Sequence, residues 1–365
     1  MDSKVAQTTV PVATDTIEDA LLAEVKTLRD KIGTVKLPDE MRVKANMVLD
    51  RLERNVRLRS YGEEFEKTSH YIEWISTLPW EQRTQDNLDL VHAKEILDKH
   101  HYGLNDVKER ILQFVSILNL KTQKNPDGNI KAPILLLVGL VGTGKTTFAY
   151  SLAEALGRKI VRIPFGGMGS ARDLRGQSRL HIESEPGAVI KGLRQSGVKN
   201  PIMLLDEIDR VTEDARMDIM GVLVELLDPS QNYAFVDHYI DYPVDLSEVL
   251  FIATANNTRG IATAVMDRLE QLDMPSYSDE EKIHIAREYL LPRALEESGL
   301  DVGSLVVDEA VWPNVVRPLG FDSGIRTLQR TIKNMCGKVA KEIVEKKVAT
   351  VQVTAENVKF YLPQY

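Results

Sequence analysis

Cysteine is almost absent from this sequence: Cys336 is the single one in 365 residues. An internal disulfide needs two, so none forms, and a reducing compartment is the natural home. Long apolar runs are missing too. No stretch approaches the ~20 residues that a helix needs to cross a bilayer. The first eighteen residues are polar and lack the basic-then-apolar order of a secretory signal. A soluble, cytoplasmic protein with no membrane partner is expected. Basic charge is also not in excess. Lys and Arg number 46 against 54 Asp and Glu, a formal charge of −8. That excludes a chain-wide polyanion-binding surface, and nucleic acid is not an expected partner. The seven histidines show no metal-ligand spacing.

What is present is enough apolar residue, 43%, for sizeable cores. The length exceeds one ordinary domain and suggests two or three. Residues 1–17 look like a flexible tail, and residues 18–120 carry helical periodicity, as at Leu21, Leu22, Val25 and Leu28. Residues 121–131 are polar, contain Pro-Asp-Gly and read as a linker. Three short apolar runs follow, at 134–138, 202–205 and 249–253, each ended by small or polar residues. Helical patterns lie between them. Such alternation predicts a parallel sheet covered on both faces, within an α/β domain at 132–276. From 277 the chain is helical again. Ser278 to Glu281 fits a capping box, and Ile325, Leu328, Ile332, Met335, Val339 and Ile343 mark one face of a long helix. Residues 277–365 therefore read as a small helical domain. Cys336 lies on or beside that apolar face, and Trp74 and Trp80 read as packing anchors.

The first apolar run leads into Gly139-Leu140-Val141-Gly142-Thr143-Gly144-Lys145-Thr146, with Thr147 beyond. This is the complete phosphate-loop pattern between a strand and a helix. Glycines let backbone N–H groups converge on phosphate oxygens, and the helix points its positive end there. Lys145 is expected on the β- and γ-phosphates of ATP, and Thr146 on Mg²⁺. The second run ends in Asp206-Glu207. Asp206 is suited to Mg²⁺, largely through water, and Glu207 to polarising an attacking water. Acids at strand ends are common as solvated caps, and the upstream loop favours the functional reading. Asn256 after the third run can orient water. Arg268 is a candidate arginine finger, and Arg326 can report nucleotide state to the helical domain. Either arginine alone is more often a surface ion-pair partner, and spacing does not decide the role of Asn256, Arg268 or Arg326.

The ordered series resembles the ATPase region of Lon-type proteases. The similarity runs through residues 87–98 and 101–110, then 162–167, 200–209, 226–229, 237–239, 251–256, 267–268 and 324–326, and covers roughly residues 35–363. The resemblance implies an AAA+ fold. In it Lys145 and Thr146 hold nucleotide and magnesium, and Asp206 and Glu207 are the magnesium and water-activating acids. Asn256 is the first sensor, Arg268 a finger acting in trans and Arg326 the second sensor. Tyr102, Gly103 and Leu104, with Val107, match the stretch packing on adenine. A finger in trans implies a homo-oligomeric ring, a hexamer in this family, working on unfolded protein. Residues 20–120 resemble the end of the family's substrate-engaging N-terminal region.

Four departures stand out. The chain ends at Tyr365, where the serine–lysine protease domain would begin, so peptide hydrolysis is not expected from these residues; a separate protease domain or partner and a stand-alone ATPase both fit. Leu140-Val141 replaces two prolines, at positions expected to point away from phosphate. The first pore loop reads Leu180-His181-Ile182-Glu183 where an aromatic residue grips substrate. The second, around Ala215 to Asp218, lacks a glycine and a proline. The competing readings are a nucleotide-dependent scaffold that does not thread substrate, a DNA-acting AAA+ protein without an evident basic stripe, and a small-molecule kinase, which needs no Asp-Glu pair or helical lid.

Overall fold

In the computed structural model, residues 13–60, 62–124, 133–181, 183–317 and 324–362 are described. Residues 1–12 of the stretch read as a tail, 125–131 of the stretch read as a linker, and Ile182 of the stretch read as the first pore loop lie outside them. Five helices come first: α1 (Ala13–Thr34), α2 (Asp39–Arg57), α3 (Glu63–Thr77), α4 (Leu90–His100) and α5 (Asn105–Lys124). Helix α1 begins within the stretch read as a tail, and α5 runs through Lys124 into the stretch read as linker. Met41, Ala45, Leu49, Leu52 and Val56 recur at helical spacing on α2 and are buried, while Val43 and Met47 face solvent. Residues 79–89 between α3 and α4 carry no helix or strand and cross the back of the next domain, where Asp86 pairs with Arg158 at 2.6 Å.

The α/β domain follows as β1 (Ile134–Val138), α6 (Lys145–Leu156), β2 (Ile160–Pro164), α7 (Arg172–Arg175), α8 (Ala188–Ser196), β3 (Ile202–Asp206) and α9 (Arg216–Leu226). A two-stranded ribbon, β4 (Phe235–Val236) and β5 (Pro243–Val244), precedes β6 (Leu250–Ala255), α10 (Thr263–Met266) and β7 (Leu269–Asp273). The main sheet is parallel, in the order β2-β3-β6-β1-β7. The three expected strands are its interior, and β2 and β7 are edges that the apolar-run criterion missed. Edge strands are half solvated, so their sequences alternate with polar residues such as Arg162, Glu270 and Gln271. Pro164 is tolerated because β2 is an edge.

One face of the sheet packs with α1–α3, α8 and α9 in a single apolar cluster. The other packs with α4, α5 and α6. The last region is α11 (Asp279–Ile285), which continues through a wide π turn at 286–290 into α12 (Leu291–Glu297). Then come β8 (Leu305–Val307), α13 (Trp312–Val316), α14 (Arg326–Lys346), β9 (Val351–Val353) and α15 (Val358–Tyr361), around their own core. The capping box forms: Ser278 Oγ accepts from Glu281 N–H, and the Glu281 carboxylate accepts from Ser278 N–H. Cys336 is buried in this core. Trp74 is buried under the Arg194 guanidinium, and Trp80 donates to the Ile75 carbonyl at 2.8 Å.

Candidate nucleotide site

In a parallel sheet the strand ends where helices begin are the natural place for a ligand. Here β1, β3 and β6 lie side by side and all end at the same edge. The β1 end turns through Gly142 (φ +84°) and Gly144 (φ +94°), left-handed conformations that suit glycine. Lys145 then opens α6. A cleft of about 200 Å³ forms there. It is lined by Val141, Gly142, Gly144, Lys145, Thr146 and Thr147 from the loop. Asp206, Glu207 and Asn256 come from the strand ends, and Ile325, Arg326 and Gln329 from α14 and its approach.

Lys145 is 7% exposed, and its Nζ donates to the Gly139 and Leu140 carbonyls at 2.6 and 2.9 Å and to Asn256 Oδ1 at 3.1 Å. Burial pulls its pKa below the ordinary lysine value, opposed by the charges of Asp209, Glu207 and Asp206. Asn256 Nδ2 is buried with no partner. A buried donor left unpaired costs free energy, so a ligand acceptor in the cleft would satisfy it. Asp206 is 3% exposed, and its Oδ1 accepts from Thr254 Oγ1 at 2.6 Å and Thr146 Oγ1 at 3.3 Å. Its Oδ2 accepts from Arg162 Nε at 2.7 Å. One hydroxyl beside one carboxylate is an oxygen donor set suited to Mg²⁺, which keeps several waters. Cleft shape, the orphaned donor and this donor set fit a nucleotide with its magnesium ion. Glu207 takes a left-handed conformation (φ 58°, ψ 51°) directly after Asp206.

The small helical domain sits on the loop. Ile325 N–H donates to the Gly142 carbonyl at 3.0 Å. A Cβ on Gly324 would come within 2.5 Å of the Val141 carbonyl, so only glycine permits this approach. Leu140 and Val141, half exposed, are not held in the core. Thr143 is fully buried, its Oγ1 donating to the Leu140 carbonyl at 2.9 Å.

Not every expected residue meets at the cleft. Arg268 is absent from its lining. Its guanidinium instead holds Asp228 Oδ2 at 2.9 Å and the Ala264 carbonyl at 2.6 Å. Tyr102, Gly103 and Leu104 also lie outside the lining. The Tyr102 ring stacks on His284 of α11, with centroids 3.8 Å apart and planes at 13°. Sequence reasoning gave no role to Arg162, Thr254 or Gln329. The alternation Ile160-Val-Arg-Ile163 was a signal for a half-buried strand pointing Arg162 outward. Nothing local marked the other two.

Residues 135–275 match the family described as "ATPase family associated with various cellular activities (AAA)". Residues 296–351 match the "Lon protease AAA+ ATPase lid domain". The Lon protease 2 of Thermus thermophilus is 42% identical over 345 residues, which is 93% of this chain and 42% of that protein. The Lon protease of Syntrophomonas wolfei is 39% identical over 345 residues, 94% of this chain and 41% of the relative. That of Bacillus thuringiensis is 41% identical over 335 residues, 92% and 41%. The chain thus spans about two fifths of the length of the curated relatives it matches. With an AAA sheet running into a Lon-type lid along one continuous stretch, the chain belongs to the AAA ATPases as an AAA+ region of the Lon type.

Proposed function

We propose that the chain binds and hydrolyses ATP and uses the energy to unfold and translocate protein substrates for degradation. The observation that carries this reading is the single cleft in which Lys145, Thr146, Asp206, Glu207 and Asn256 converge under the lid residue Arg326. Lys145 is held by two carbonyls and an amide, ready to pair with phosphate charge. Glu207 is the acid placed to polarise a water, and Asn256 has an unused donor to orient it. Bound Mg²⁺ would supply positive charge against the phosphates, with Thr146 and Asp206 as its protein ligands. Arg326 touches the loop and would carry nucleotide state into the lid, as a Cβ on Gly142 would stand 3.3 Å from its own.

Arg268 does not line the cleft of its own chain, which suits a role in a neighbouring subunit's site. A homo-oligomeric ring, six-membered by resemblance to the family, follows from that role. Unfolded protein is the proposed substrate, and the cytoplasm the proposed location. Among the described residues no helix is long and apolar enough to cross a membrane.

A scaffold that binds ATP without threading substrate is the second reading. It is favoured by the two pore-loop positions, where Leu180 and Met217, 91% and 86% exposed, offer flexible aliphatic side chains and no aromatic plate. The steady-state ATPase rate, with and without an unfolded protein, separates the two. Hydrolysis that rises with unfolded protein and vanishes in Glu207→Gln supports the motor. ATP binding with no hydrolysis in the unmodified chain would sink it.

A further inference from the structure

We propose that Thr254 is the positioning residue that ties the two acids of the cleft into one unit, a proposal that rests on the ATPase reading above. Thr254 lies on β6 and is fully buried. Its neighbour Ala253 is in register with Leu205 of β3, which sets Thr254 level with Asp206. The Thr254 hydroxyl accepts from Glu207 N–H at 2.9 Å and donates to Asp206 Oδ1 at 2.6 Å. A backbone amide can only donate, so it takes a lone pair of the hydroxyl. The single hydroxyl proton is then committed to the carboxylate. One oxygen therefore fixes the side chain of Asp206 and the backbone of Glu207 at once.

The Glu207 backbone needs such a restraint. Its left-handed conformation is one that residues with a Cβ visit rarely, and it persists only where the surroundings hold it. Gly166 leaves room beside it, since a Cβ there would stand 3.3 Å from Glu207 Oε2. Asp206 is constrained on its other side by Arg162, so the Thr254 bond decides which oxygen is presented toward Thr146. A β-branched residue suits a strand interior, and its χ1 is stiff, so the hydroxyl stays aimed. Valine has the same shape and neither bond. Serine keeps both bonds and loses the methyl group. These two variants separate the hydroxyl's role from mere packing.

The experiment compares Thr254→Val and Thr254→Ser with the unmodified chain by three readouts. The first is amide hydrogen exchange at Glu207 without nucleotide. The second is the Mg²⁺ concentration that gives half-maximal ADP binding. The third is kcat and KM for ATP. Loss of a hydrogen bond to a charged group is worth about tenfold to a hundredfold. In Thr254→Val the Glu207 amide should exchange about tenfold faster, the Mg²⁺ requirement should rise about tenfold, and kcat should fall about tenfold to a hundredfold with KM moving far less. Thr254→Ser should stay within about threefold on every readout. Unchanged exchange and Mg²⁺ dependence in Thr254→Val overturns the proposal, as does a serine variant as impaired as the valine one. If Thr254→Val does not fold, retention of the Mg²⁺ dependence by Thr254→Ser supports the proposal and its loss overturns it. If the unmodified chain hydrolyses no ATP, the ATPase reading fails, and the first two readouts still decide the role of Thr254.

Discussion

Acid should destabilise this protein through one buried histidine. His101 caps the C-terminus of α4 and is 5% exposed. Its Nε2 lies 2.9 Å from Ser151 Oγ, and its ring stacks on Phe148 with centroids 3.8 Å apart, both partners on the helix that Lys145 opens. Burial, reinforced by coulombic repulsion from neighbouring basic side chains, Lys108 among them, holds its pKa down at about 3 against an ordinary 6.5. Folding therefore keeps His101 neutral, while the unfolded chain takes up a proton below pH 6.5. Stability is full above that value and falls with pH until the folded pKa is reached. Between pH 7 and pH 5 the loss through this group comes to about 2 kcal/mol, and the whole shift corresponds to about 5 kcal/mol. Substituting His101→Gln removes the titration and keeps a group able to bond Ser151. Urea unfolding of both proteins at pH 7 and pH 5 measures the difference. The variant should be weaker at pH 7 by about 1 kcal/mol for lost stacking, yet lose about 2 kcal/mol less on acidification. Carboxylates titrate alike in both proteins and cancel. Parallel stability losses would show that His101 is not held neutral, and the account of this buried contact would be wrong.

Other consequences are as direct. Replacing Arg268→Ala should leave nucleotide affinity unchanged and lower ATP hydrolysis at least about tenfold; mixing it with Lys145→Ala subunits should restore part of the rate, and normal hydrolysis by Arg268→Ala alone would remove the finger assignment. Asp86→Ala leaves the Arg158 side chain, 6% exposed, with only the Asn200 and Glu248 carbonyls, and should cost about 3 kcal/mol in denaturant unfolding. The Cys336 thiol is pushed up to about 11 by burial. At pH 8 only about one part in a thousand is thiolate, so a thiol reagent should label it only on unfolding, and rapid labelling of folded protein would contradict the packing of α14.

Much of this architecture is written locally. Strands β1, β3 and β6 are covered on both faces, so they read as unbroken apolar runs, whereas β2 and β7 are edges whose polar alternation hides them. The phosphate loop is legible because eight successive residues build it. Asp206 and Glu207 are legible because they end a readable strand. Arg162 and Thr254 act on Asp206 from strands 44 and 48 residues away in sequence, and only the parallel register puts them there. The Tyr102–His284 stack and the Gly324 contact with the loop are hidden for the same reason, since each joins separate domains.

That division follows the physics of the site. The sheet supplies a rigid edge, since β1, β3 and β6 are locked by register and buried on both faces, so Lys145, Asp206 and Asn256 hold their spacing without ligand. The lid meets this edge at the Ile325 bond to Gly142, the close approach of Gly324 and the side chain of Arg326, and shares the apolar cluster of β1 and α6 through Tyr277 and Ile285. Among the described residues the arm meets the lid through the Tyr102–His284 stack, the approach of Gly103 to Glu281 and the apolar cluster that Leu104 and Val107 share with Ile285. A ligand that bonds the orphaned Asn256 amide and draws on Arg326 would favour one lid position over others, because it interacts differently with each.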